Sequence, residues 1–140
     1  MGNYPLFDAI IKFSRETKRN GRPLSQDPLI RHKLAQLQVE FEIGRLLCYR
    51  VAIVVDRGRA LNIEAAMSKA YSTDFEQHLA STAMEILGLY GLLVTGSKWL
   101  PIQGMAPHSY LASKGYSHQA GTSEILKNII AGRGLGLPNR

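Results

Sequence analysis

The sequence predicts an all-α protein built as an up-and-down bundle of four-helix type. Two long stretches space their apolar residues in steps of four and three, the periodicity of a helix face. Glycine- and proline-containing segments punctuate the chain between them. No stretch shows the period-two alternation that a half-buried strand needs, and no internal repeat is present. A chain of 140 residues is large enough for one domain with a real core and too short for two comfortable ones.

Pro5 is suited to open a first helix that carries Leu6, Ile10 and Phe13 on one face and runs to about Lys18, where Asn20-Gly21 ends it. So short an element reads as a remnant. Gly21-Arg22-Pro23-Leu24-Ser25 is a turn, after which Ser25 or Asp27 can cap a second helix with Pro28 in its first turn. The stripe Ile30, Leu34, Leu37, Phe41, Gly44, Cys48, Val51 and Val55 makes that helix long, roughly 40 Å at 1.5 Å per residue, with the seam of a helix packed on antiparallel neighbours. Arg57-Gly58-Arg59 breaks the pattern. Asn62, with Glu64 behind it, can cap a third helix bearing Leu61, Ala65, Phe75, Leu79, Thr82, Ile86 and Leu89, which should form a hairpin with the second. Ser68 and Ser72 on this stripe either permit close approach to a partner helix or face solvent. Gly88 and Gly91 stop the helix, and Leu92 to Pro107, with Trp99 and Met105, reads as a loop. A short helix from about His108 to Lys114, a turn from Gly115 to Gly121 and a terminal helix packing Ile125, Ile129 and Ile130 complete the bundle.

The formal charge of +6 and pI near 9.7 suit an acidic partner, but the basic residues are scattered. Short clusters such as Arg15 to Arg22 and Arg57 with Arg59 fall in expected loops, without the interleaved aromatics of a strand-binding surface, so nucleic acid is not the expected partner. The single cysteine, Cys48, has no internal disulfide partner, and its setting in Leu46-Leu47-Cys48-Tyr49 is that of a small buried hydrophobe in a reducing compartment. Met1 to Leu6 lacks both an apolar signal core and the Ser or Thr of a myristoylation motif, and the richest apolar run, Ile86 to Val94, is too short to span a membrane. A soluble, cytoplasmic protein is the expectation. His32, His78, His108 and His118 lack metal-ligand spacing, and no nucleophile elbow or phosphate-loop pattern is present.

Three segments carry more information than composition does. The chain closes on Gly121-Thr122-Ser123-Glu124-Ile125-Leu126-Lys127-Asn128-Ile129-Ile130-Ala131-Gly132-Arg133-Gly134-Leu135-Gly136-Leu137-Pro138-Asn139-Arg140. Upstream lie Asn20-Gly21-Arg22-Pro23-Leu24-Ser25, before the second helix, and Glu85-Ile86-Leu87-Gly88-Leu89-Tyr90-Gly91, at the end of the third. In wording, order and spacing these resemble the C-terminal helical domain of the acyl-CoA dehydrogenases over nearly the whole chain. Members of that family also have an N-terminal helical domain and a middle β-domain, so the resemblance implies one domain over residues 1–140, a fragment without the other two.

The resemblance implies flavin adenine dinucleotide (FAD) held between subunits of a homo- or hetero-oligomer, and an acyl-CoA substrate. The family's Gly-Thr before the last helix matches Gly121 and Thr122, and its following Gln or Glu matches Glu124. Its Gln-Ile-x-Gly-Gly-x-Gly pattern is kept in frame, with Glu85 for the amide, Leu89 for a glycine, and Gly88 and Gly91 retained, so Glu85, Gly88 and Gly91 join the cofactor-binding candidates. Leu89 adds bulk where the glycine allowed close approach. The family's Arg-x-x-Phe-Gly is replaced, Thr17 and Asn20 standing for its Arg and Phe, with Lys18 or Arg19 as substitutes. Its carboxylate base commonly precedes the Gly-Thr, a position held here by Ala120 beside Gln119, neither of which can take the substrate's α-proton. Other members carry the base on an earlier helix, at a position that falls before Met1. No catalytic residue is therefore assigned. His118, near that turn, is read as a polar turn residue. The implied role is a contribution to FAD binding and assembly for acyl-CoA α,β-dehydrogenation, the isolated chain being inactive; the alternative is a non-catalytic helical interaction module.

Overall fold

The computed structural model describes residues 4–61, 63–93 and 96–138. The expected cap Asn62, the lipidation positions before Tyr4 and the final Asn139 and Arg140 lie outside them. Among the described residues five α-helices follow one another: α1 (Pro5–Glu16), α2 (Pro28–Asp56), α3 (Glu64–Leu87), α4 (Met105–Tyr116) and α5 (Ser123–Ile129). The architecture is the expected all-α bundle, organised around α3, against which each of the other four helices packs.

Local chemistry accounts for most boundaries. Pro5 occupies the first turn of α1, where its missing N–H costs nothing. Asn20 and Gly21, both at positive φ, turn the chain between two short antiparallel strands, β1 (Lys18–Arg19) and β2 (Arg22–Pro23). This hairpin is too short to leave a period-two signal, which is why the sequence shows only a turn. Asp27 caps α2, its carboxylate accepting from Leu29 N–H at 2.9 Å, whereas Ser25 belongs to a 3-10 turn over Leu24–Gln26. The helix runs 29 residues, about 43 Å.

Packing corrects the stripes at their ends. On α2, Ile30, Leu37 and Gly44 are buried and Leu34 and Phe41 pack against the core, but Val55 is exposed because that end of α2 projects past its neighbours. On α3, Ala66 is buried rather than Ala65, Leu61 precedes the helix and is exposed, and Leu89 lies beyond its end. Ser68 settles the small-residue question at one position, its Oγ lying 3.6 Å from Cys48 Sγ across the α2–α3 seam; Cys48 is only partly buried. Leu6, Phe7 and Ile10 of α1 enter the core, so α1 is an integral layer and not a remnant. Tyr4, Phe7, Phe41 and Phe75 form an edge-on and tilted aromatic cluster, with centroids 5.4–6.2 Å apart, that joins α1, α2 and α3.

The segment expected to be a loop up to Pro107 folds earlier than that. A turn over Pro101–Gly104, with Ile102 and Gln103 at positive φ, launches α4 at Met105, and Pro107 sits harmlessly in its first turn. In α5 the buried residue is Leu126, not Ile125, which is exposed; Ile129 and Ile130 are partly buried. No described helix is long and apolar enough to cross a membrane.

Candidate functional site

The cofactor-binding candidates fall into two separate groups. The first forms the turn into α5. Gly121 has φ +106, and Ala120 before it has φ +59, a conformation an alanine adopts only when its surroundings impose it. Thr122 is the N-cap: its Oγ1 accepts from Ile125 N–H at 3.4 Å. Glu124 reaches back to the same cap. Its own backbone N–H first, then the Thr122 hydroxyl, and finally Lys127 and His118 hold its carboxyl below the usual carboxylate range. The turn thus holds one anion, one lysine and a histidine. His118 Nδ1 lies 3.0 Å from Ser117 Oγ and 3.4 Å from Lys114 O, closing the end of α4.

The second group surrounds the end of α3. Gly88 ends the helix at φ +58, and a 3-10 turn over Gly88–Leu92 follows. Gly91 is buried, and a Cβ there would meet Met84 O and Sδ at 3.3 Å, so its lack of a side chain serves internal packing first. Glu85 is exposed and ion-paired with Lys33 from the start of α2. Lys33 was missed by sequence reasoning, since it lies 52 positions away and meets Glu85 only through the register of the hairpin. The same register joins His78 Nδ1 to Glu40 Oε2 at 2.7 Å. At this end of the molecule a cleft is lined by Arg19, Arg22, Gln26 and Asp27, so Arg19, one of the two expected substitutes for the lost arginine, lies in a cation-bearing groove.

The groups do not converge. Lys69 Nζ donates to Tyr116 O at 2.9 Å, and Gly134 lies against Ile63, which places the chain around α5 beside the amino-terminal half of α3. From Lys69 to Gly88 is about 28 Å along a helix. Their chemistry also differs. Arg19 and Arg22 line their cleft with one carboxylate, Asp27, while Lys33 and Glu85 pair with each other. The turn at Thr122 already carries a carboxylate and suits an uncharged hydrogen-bonding ligand. Among the described residues no group of three His, Cys, Asp or Glu side chains is placed to hold a metal ion.

Comparison with known proteins matches the fold and most of the chain. The sequence profile described as "Acyl-CoA dehydrogenase, C-terminal domain" matches residues 5–135. Glutaryl-CoA dehydrogenase of Desulfococcus multivorans is 34% identical over 131 residues, covering 93% of this chain and 32% of that protein. A glutaryl-coenzyme A dehydrogenase solved with glutaryl-CoA superposes with a TM-score of 0.81 at 32% identity, over 95% of this chain and 32% of that one. The ChsE4–ChsE5 complex of Mycobacterium tuberculosis gives a TM-score of 0.89 at 21% identity, over 97% of this chain and 36% of that one, a likeness of fold. The chain spans about a third of the length of these relatives.

Proposed function

The chain belongs to the acyl-CoA dehydrogenase family as its C-terminal domain, and from that premise we propose that it supplies the helical part of an assembly that binds FAD and carries out α,β-dehydrogenation of an acyl-CoA thioester. The observation that carries this reading is the pair of separated half-sites. Each holds residues of a family cofactor pattern, and about 28 Å of α3 divides them. A ligand shared between copies of the chain, or between this domain and others, uses both ends of such a bundle.

In this reading Arg19, Arg22 and Lys33 face the cofactor's phosphates, and Lys33 keeps Glu85 from repelling them. Thr122 and the backbone at Gly121 hold an uncharged portion of the cofactor, with Glu124 fixing the Thr122 hydroxyl. FAD, when bound, accepts the hydride from the substrate's β-carbon. The α-proton needs a base, and the turn offers Gln119 and Ala120 at that place. The chain by itself therefore binds and orients but does not dehydrogenate, and the base is supplied by another domain or subunit.

Ala120 favours a second reading, a helical interaction module that has left flavin chemistry. The visible spectrum of the purified chain after incubation with FAD and desalting separates the two. A retained flavin band without acyl-CoA turnover is expected; a colourless protein even in the presence of the remaining domains would overturn the flavin reading.

A further inference from the structure

We propose that the cleft between α1, α3 and α4 is a binding site for a small primary alkylammonium ion, held by the Glu76 carboxylate beside the rings of Tyr4 and Tyr116. The cleft has a volume of about 220 Å³ and is lined from the start of α1, the middle of α3 and α4. Neither the turn at 121–124 nor the one over Gly88–Leu92 lines it, so it stands apart from both groups of cofactor-binding candidates. Clefts that take drug-sized ligands run from roughly 300 to 1,000 Å³. This one therefore suits a molecule of fewer atoms.

The chemistry of the lining selects a cation with a short apolar body. Glu76 is partly buried, and Tyr4 Oη donates to its Oε1 at 2.5 Å. Among the described residues that carboxylate has no other hydrogen bond and no ion pair. The lysines of α3 and α4 are engaged elsewhere. Lys69 Nζ donates to Thr73 Oγ1 and to Tyr116 O, each at 2.9 Å, and Lys114 Nζ donates to Gln77 Oε1 at 3.3 Å and lies over the Tyr110 ring. His108 also lines the cleft but is exposed and makes no ion pair with Glu76. Burial first, and then Glu76 through its hydrogen bond and its charge, push the Tyr4 phenol up, and no described cation opposes them. A carboxylate lodged partly out of water with one neutral donor is stabilised by a positive charge brought to it. Leu6 and Leu79, both buried, and Ala112 supply an apolar wall for a short methylene chain, and the two tyrosine rings add attraction for a cation over a neutral group. An anion is repelled by Glu76. A metal ion would find one carboxylate where it needs several ligands, since no described group of three His, Cys, Asp or Glu side chains comes together. The chain as a whole carries a formal charge of +6, which repels cations, so binding of an amine would report this site and not the general field.

Titration of the methyl-labelled chain with n-butylammonium chloride at constant ionic strength, read at the Leu6 and Leu79 methyls by NMR, tests this. Saturable shifts at roughly millimolar ligand are expected, with n-butanol giving none in the same range. Glu76→Gln, whose amide oxygen still accepts from Tyr4, should weaken binding roughly tenfold or more. Ala112→Phe, which fills the cleft and leaves the charge in place, should do the same. Asp74→Asn, which removes an exposed carboxylate two positions away on α3, should leave the affinity unchanged. Each variant is checked for unchanged helicity. Nα-acetyl-lysine N-methylamide separates the two sources of such an ammonium: binding as strong as that of butylammonium identifies the lysine side chain of a polypeptide, and its exclusion identifies a free amine. Methyls that do not move, equal shifts with butanol, or a Glu76→Gln chain that binds as the parent does would each overturn the proposal.

Discussion

Thr122 and Glu124 explain one another. The threonine hydroxyl accepts from Ile125 N–H and, after Glu124's own backbone N–H, helps hold the Glu124 carboxyl below the usual carboxylate range. Thr122→Ala should cost about 1 kcal/mol by removing the cap and should move the Glu124 titration up toward the ordinary carboxylate value, as followed by NMR. Because the folded pKa lies below the unfolded one, any stability from Glu124 is present above the unfolded value and lost as pH falls through the folded one. Tyr4 has the opposite sign. Burial first, and then its hydrogen bond to Glu76, push its phenol well above 10.0, so the stability it adds is complete below that value and is lost as pH climbs beyond it. Tyr4→Phe should remove the phenol's own part of the alkaline loss and cost about 1–2 kcal/mol at neutral pH through the carboxylate left behind, measured by denaturant unfolding. The cap at Thr122 could be read from the sequence because it acts over three residues. The Lys33–Glu85 and Tyr4–Glu76 pairs could not, because each depends on which turns of distant helices lie side by side.

For the helices, legibility follows the strength of the period. The antiparallel hairpin of α2 and α3 followed from two long stripes, and its observed pairs, Lys33 with Glu85, Glu40 with His78 and Cys48 with Ser68, share one register. The stripe could not say where α2 outruns its neighbours, so Val55 looked as buried as Leu37. Nor could propensity show that α4 begins at Met105, since a start reached through positive φ at Ile102 and Gln103 is imposed by tertiary packing. α1 read as a remnant, yet Ile10 is fully buried. Ile10→Ala should destabilise the fold by about 3 kcal/mol, whereas Val55→Ala should fall within about 0.5 kcal/mol of the parent; thermal or denaturant unfolding of the pair checks which residues form the core.

For the molecule as a whole, the family patterns mark two ends of one bundle. The Glu85 to Gly91 segment and the capped turn at Thr122 were both visible as motifs, but Lys33 beside the first, and the separation of the two, emerged only from the packing and path of α3. The same view explains why a chain without a carboxylate at Ala120 can retain cofactor-like segments, since holding a cofactor and taking a proton are tasks of different residues. If the basic end at Arg19, Arg22 and Lys33 recognises the diphosphate of FAD, affinity must depend on phosphate and on salt. Titration of the chain with FAD and, separately, with riboflavin, read by flavin fluorescence at low and high salt, tests this most directly. Saturable FAD binding that weakens with salt and with Lys33→Ala, beside negligible riboflavin binding, is the expected result; equal binding of the two flavins, or FAD binding unmoved by salt and by Lys33→Ala, would contradict the assignment of the basic end to the diphosphate.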